Sequence, residues 1–171
     1  MKRLILILFV VSIVNSFAQT KLDYGIQFYH GTWKEACDKA KAENKLIFVD
    51  FYTQWCGPCL NMAENVFILP FIGDFYNTNF VNMKIDAENG EGVELAKRYG
   101  VNSYPTYVFV DPKNGDVVHQ SKSRQEAEQF LATGKSALVP ELRSGYLIEE
   151  FAKGRDDREF LKNYILLMLF S

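Results

Sequence analysis

Two cysteines three positions apart, Cys56 and Cys59, are the residues whose type and spacing point to chemistry. They stand in Trp55-Cys56-Gly57-Pro58-Cys59, directly after the apolar run Leu46 to Tyr52, which reads as a buried central strand. Pro58 suits the first turn of a helix, where its missing N–H is not needed. The motif therefore predicts a helix that begins where a strand ends. Such a helix end carries unpaired N–H groups and partial positive charge, which stabilise a thiolate and lower its pKa. Cys56 sits at that end. Cys59 lies one turn further in, on the same face and less exposed, so the two sulfurs can bond across the turn. In this reading Cys56 attacks a disulfide and Cys59 resolves the mixed disulfide that forms. Two blander readings stand beside it, a static disulfide and half of a metal site. A loop this small is a poor staple, because closing it removes little chain entropy. A zinc site normally takes four ligands, and neither Cys37, His30 nor His119 has a convincing spacing for one. No metal and no cofactor is implied.

Elements must hold that motif in place. Thr32 to Glu43 reads as a helix with a Thr32/Glu35 capping box and an apolar face of Trp33, Ala36, Cys37 and Ala40. Cys37 on that face reads as core packing. The motif helix is expected from about Gly57 to Phe67, stopping before Pro70, with a second short helix over Phe71 to Phe80. The aromatic residues there read as packing. A strand follows at Val81 to Ile85, a polar loop at Asp86 to Glu91, and a helix at Gly92 to Tyr99 closed by Gly100. Tyr107 to Val110 and Asp116 to Gln120 read as a hairpin around Asn114-Gly115. An amphipathic helix is expected over Ser123 to Ala132. Helices between strands imply parallel pairing and the hairpin adds antiparallel strands, so the class is α/β with a mixed sheet. His30 and His119 read as surface residues.

Two segments resemble the thioredoxin superfamily. Phe48-Val49-Asp50-Phe51-Tyr52-Thr53-Gln54-Trp55-Cys56-Gly57-Pro58-Cys59 is similar to the family's active-site strand and turn. Tyr99-Gly100-Val101-Asn102-Ser103-Tyr104-Pro105-Thr106-Tyr107 is similar to its cis-proline segment. The resemblance covers roughly residues 30–135, and the flanking stretches look like exported bacterial members of the superfamily. It implies a thioredoxin fold, a central mixed sheet flanked by helices. It also implies a redox-active pair with Cys56 as nucleophile and Cys59 as resolving thiol. Asp50 matches a buried carboxylate that takes the proton of Cys59. Pro105 matches a cis-proline facing the cysteines, the Tyr104 backbone matches the segment that pairs with bound peptide, and Trp55 matches the aromatic residue flanking the nucleophile. The chain departs from the family at Tyr52, where a Trp is usual, at Leu60, where a Lys is common, and near Ser121 to Ser123, which lacks a glycine. These departures bear on partners rather than on chemistry.

Composition narrows the rest. The 171 residues are 48% hydrophobic and 15% aromatic, enough for a core without disulfide staples. A net charge of −2 with no basic block argues against a nucleic-acid partner. Lys2 and Arg3, the apolar run Leu4 to Val14 and Ser16-Phe17-Ala18 read as a signal peptide over residues 1–18, which places the protein in the periplasm or outside the cell. The thioredoxin-like domain is expected at 25–135 and a helical C-terminal extension at 136–171. In that extension Asp156 and Glu159 cap a helix from Asp157, and the apolar tail Ile165 to Phe170 needs a surface to bury against. The expected activity is reduction of protein disulfides, fed by a membrane-embedded thiol donor. The alternatives are a non-catalytic binding module and a disulfide isomerase. No feature of the sequence specifies an oligomeric state.

Overall fold

The computed structural model describes residues 24–169; the expected signal peptide lies outside them. Chain order gives α1 (Trp33–Glu43), β1 (Leu46–Tyr52), α2 (Gly57–Asn65), α3 (Pro70–Asn79), β2 (Phe80–Asp86) and α4 (Gly92–Arg98). The hairpin β3 (Thr106–Val110) and β4 (Val117–Lys122) follows, then α5 (Ala127–Leu138), a short 3-10 turn, α6 (Ser144–Ala152) and α7 (Arg158–Met168). The sheet order is β2-β1-β3-β4, with β1 parallel to β2 and antiparallel to β3. The mixed sheet and its flanking helices match the expected class.

β1 is central and buried on both faces, which explains its unbroken apolar run. Alternation sends Ile47, Val49 and Phe51 to one side, where they pack with Ala36 and Ala40 of α1 and Leu95 of α4. Phe48 points to the other side and meets Met62 of α2, Tyr76 of α3 and Phe130 of α5. Phe130 stacks on Tyr76 at 4.5 Å between ring centroids, and the Tyr76 hydroxyl donates to the Phe130 carbonyl. The aromatic stretch of α3 is thus core, as its composition suggests. Phe130→Ala is expected to cost about 3–5 kcal/mol in urea unfolding.

Local chemistry sets the helix ends. The Thr32/Glu35 capping box forms, and the first N–H of α1, that of Trp33, is taken by the distant Glu91 carboxylate. α1 ends on Asn44 in a left-handed conformation, and Gly100 with φ +64° follows α4 in the same role. Pro70 does not merely stop α2; it opens α3 at its first turn.

Three sequence expectations need correction. The last domain helix begins at Ala127, not Ser123, because the intervening residues have other partners. Ser123 adopts φ +68° and donates its N–H to the Pro105 carbonyl. Gln125 is buried and bonded to Ser121 and Thr133. His119 is not a surface residue: it is 4% exposed on β4, and its Nδ1 accepts the N–H of Ser144, the first residue of α6. Ser144 Oγ accepts the Gln120 N–H in return, so α6 docks along β4. Finally, Asp157 rather than Asp156 caps the last helix: its carboxylate accepts the Phe160 N–H, and α7 begins at Arg158. The two helices of the extension share a small core of Leu147, Phe160 and Leu167. Ile165, Leu166, Met168 and Leu169 of the tail remain exposed. Among the described residues no helix is long and apolar enough to cross a membrane.

Burial, with a smaller contribution from Arg143, pushes the His119 pKa down to about 4. An unfolded histidine takes its proton near pH 6.5, so between those values the unfolded chain binds more protons and folding weakens as pH falls. Replacing His119 with Asn, which keeps an acceptor for Ser144, should remove that dependence. Relative to His119→Asn, the wild type is expected to lose about 3 kcal/mol of stability between pH 7 and pH 4 in urea titrations. A pH-independent difference would contradict a neutral buried His119.

Candidate active site

The end of β1 delivers the motif to the start of α2. Cys56 is the N-cap of that helix in an extended conformation, and Pro58 occupies its first turn. The Cys59 N–H donates to Cys56 Sγ at 3.1 Å, so the sulfur takes the place of the usual capping oxygen. Cys56 and Cys59 are joined as a disulfide with their Cα atoms 5.3 Å apart. Both residues are buried, at 6% and 3% exposure, so Cys59 is only slightly more covered. Cys37 is a free thiol, half-buried against the α1 side of the core, and burial pushes its pKa up. It lies apart from this site.

Asp50 lies on the face of β1 that α2 covers. Phe48, Asp50 and Tyr52 share that face by alternation, and Met62, one turn beyond Cys59, packs on Phe48. Asp50 has no exposure, and neither carboxyl oxygen has a hydrogen-bond partner among the described residues. Desolvation raises its pKa to about 7; Lys84 pulls in the opposite direction. Lys84 is its register partner on β2 and Tyr107 its partner on β3. The Tyr107 and Thr53 hydroxyls are also buried and unpaired.

The Tyr104–Pro105 peptide is cis, as the resemblance implies. The Tyr104 ring meets Trp55 edge-on, 6.0 Å between centroids. Trp55 is 69% exposed yet fixed, since its Nε1–H donates to Glu88 Oε2 at 3.0 Å. Glu88 is held in turn, its N–H donating to Asp86 Oδ1, while the Gln54 amide donates to Asp86 Oδ2. Gly92 is needed close by, because a Cβ there would stand 1.9 Å from the Asp86 carbonyl oxygen. The six residues singled out from sequence thus lie on β1, on the start of α2 and on the turn before β3. Gln54, Lys84, Asp86 and Glu88 were missed; the 86–91 segment read only as a polar loop, although its carboxylates lie where β2 ends.

The arrangement is a disulfide-bonded cysteine pair at a helix N-terminus, with a buried carboxyl group on the strand that the helix covers and a cis-proline turn whose Tyr104 meets Trp55. Residues 33–138 match the thioredoxin-like domain family, well over half of the chain. The chain belongs to that family. Among its relatives, thioredoxin-1 of Drosophila yakuba is 46% identical over 69 residues, or 40% of this chain and 60% of that protein. Thioredoxin H4 of Arabidopsis thaliana is 37% identical over 86 residues, covering 50% of this chain and 66% of the relative. The matched segments thus span about two thirds or less of these curated relatives. A solved disulphide-isomerase candidate from Bacteroides thetaiotaomicron is 41% identical with a TM-score of 0.61, covering 68% of this chain and 95% of its own. A Thermus thermophilus thioredoxin is 28% identical with a TM-score of 0.60, covering 67% and 88%.

The Asp50 carboxyl carries a stability signature. Its folded pKa of about 7 lies above the unfolded value of 3.8, so the folded state binds the extra proton. That contribution is fully present below pH 4 and is lost as pH rises through 7. Asp50→Asn should therefore be more stable than wild type at pH 8, by an amount on the order of 4 kcal/mol, and the gain should shrink towards pH 4. Urea unfolding across this range checks the sign.

Proposed function

We propose that this protein is a thiol–disulfide oxidoreductase that reduces disulfides in other proteins through Cys56 and Cys59. The observation that carries the reading is the Cys56–Cys59 bond across the first turn of α2, with the Cys56 sulfur itself in the cap position. In the reduced protein the helix N-terminus favours the Cys56 thiolate. Cys56 attacks one sulfur of a substrate disulfide; the other sulfur leaves as a thiolate. Cys59 then gives its proton to the Asp50 carboxylate and attacks Cys56 Sγ, and the second substrate sulfur leaves as a thiolate that takes up a proton from Asp50 or water. Two electrons have passed to the substrate, and the protein is left with the disulfide seen here. A carboxyl group whose pKa is near 7 can both accept and return that proton at neutral pH.

Trp55, Tyr104 and Pro105 form the substrate face. The Tyr104 main chain makes no backbone hydrogen bond among the described residues, which leaves it available to pair with an extended peptide. The Gly57-Pro58 dipeptide matches reducing thioredoxins and supports a potential near their value of about −270 mV, far from the −120 mV or so of a strong oxidant. Residues 1–18 have the pattern of a signal peptide, so the working place is the periplasm or the cell exterior. There the disulfide would be reduced again by a membrane-embedded thiol relay. Residues 25–135 form the catalytic domain and 136–171 an extension of it.

Cys56→Ser is expected to abolish insulin reduction, while Cys37→Ser retains it. Equilibration with glutathione should give a potential near that of thioredoxin; a value near the strong oxidant's would reverse the direction and leave the exchange chemistry standing. Disulfide isomerisation is the second reading, favoured by the 41% identity to the Bacteroides protein. Rescue of scrambled ribonuclease at rates above those of a plain dithiol would select it.

A further inference from the structure

Two of the chain's departures from the thioredoxin pattern, Tyr52 and Leu60, converge on one place. They line a cavity of about 340 Å³ whose wall also includes Trp55, Cys56, Cys59 and Lys84. Leu60 and Trp55 are 58% and 69% exposed, so two apolar side chains stand open to solvent in the wall beside the disulfide. Lys84 is the one charged side chain in that wall. Its ammonium lies 4.8 Å from the centroid of the Tyr52 ring, which holds it by a cation–π contact. It acts on Asp50, its register partner, through space, but forms no hydrogen bond or ion pair among the described residues, so its three N–H donors keep their capacity for a ligand. Asp86 and Glu88 are nearby in sequence but form no part of the wall, and each already accepts hydrogen bonds.

From this we infer that the cavity is a side-chain subsite for the substrate, which takes an acidic residue with an aliphatic stem, such as glutamate, flanking the attacked cysteine. Leu60 and Trp55 cover the stem, and the carboxylate reaches Lys84. The preferred substrates are disulfide proteins whose reactive cysteine lies in an acidic segment. A second cation at position 60 would draw anions to the rim; with leucine there, charge recognition is left to Lys84 alone. The inference rests on the oxidoreductase reading above and adds the substrate class.

The test uses disulfide-linked dimers of one short peptide, with glutamate, glutamine or lysine beside the cysteine. Their rates of reduction by the reduced protein are measured at low salt. Each rate is divided by that of the same peptide with dithiothreitol, which removes the effect of the neighbour on the thiol itself. The normalised rate should be about threefold higher for the glutamate peptide than for glutamine, and lowest for lysine. The glutamate-to-glutamine ratio should fall to one in Lys84→Met and shrink in 0.5 M salt. Equal ratios in the wild type, a preference for lysine, or a preference that survives in Lys84→Met would overturn the subsite. Insulin reduction by the same preparations separates the two proposals: if insulin is reduced while the ratio is flat, the subsite alone fails. If neither insulin nor any peptide is reduced, the oxidoreductase reading fails and takes the subsite with it.

Discussion

The contact on which this site depends is the hydrogen bond from the Cys59 N–H to Cys56 Sγ. A helix leaves its first N–H groups without partners, and they are usually met by a serine, threonine or aspartate oxygen. Here a cysteine sulfur takes that place. In the proposed chemistry this has two consequences: the helix is capped by the atom that attacks, and that atom sits where positive backbone charge is concentrated. The rest of the fold serves that placement. β1 ends at Tyr52, four residues before the cap, and its burial on both faces anchors the turn between them.

The same placement has an energetic cost one layer down. Asp50 is buried without a hydrogen-bond partner, opposite Tyr107, whose hydroxyl is also unpaired. An apolar residue would be more comfortable there. The sheet tolerates the group because aromatic packing around Phe48, Tyr76 and Phe130 supplies stability independently of it. Asp50 is the one carboxyl group among the buried side chains without a hydrogen-bond partner in the described residues. Lys84 moderates the cost, since it stands opposite Asp50 in register and favours the carboxylate.

Much of this was legible in the sequence, and the physical reason is periodicity. The two-residue alternation of β1 and the helix signals at Thr32, Pro58 and Gly100 are local, so they survive without knowledge of tertiary contacts. Cys56 and Cys59 stand out by their spacing at a strand-to-helix junction, whereas Asp50, Trp55, Tyr104 and Pro105 were singled out by the resemblance of their two segments to the thioredoxin superfamily. What escaped depends on distant partners. His119 has a polar side chain on a strand whose outer edge is covered by α6, and nothing local to residues 117–122 announces that cover. The start of α5 was read too early because Gln125 is buried by bonds to Ser121 and Thr133 rather than by helix periodicity. Glu88 and Lys84 were passed over for the same reason: their roles are set by Trp55 and Tyr52, about thirty residues earlier.

The central claim is that the two thiols are made unequal by the helix end, with Cys56 as the attacking sulfur. The most direct measurement is the rate of iodoacetamide modification of each cysteine in the fully reduced protein at pH 7, resolved by peptide mass spectrometry. The account predicts that Cys56 is modified well ahead of both Cys59 and Cys37. Equal rates for Cys56 and Cys59, or faster modification of Cys59, would contradict it.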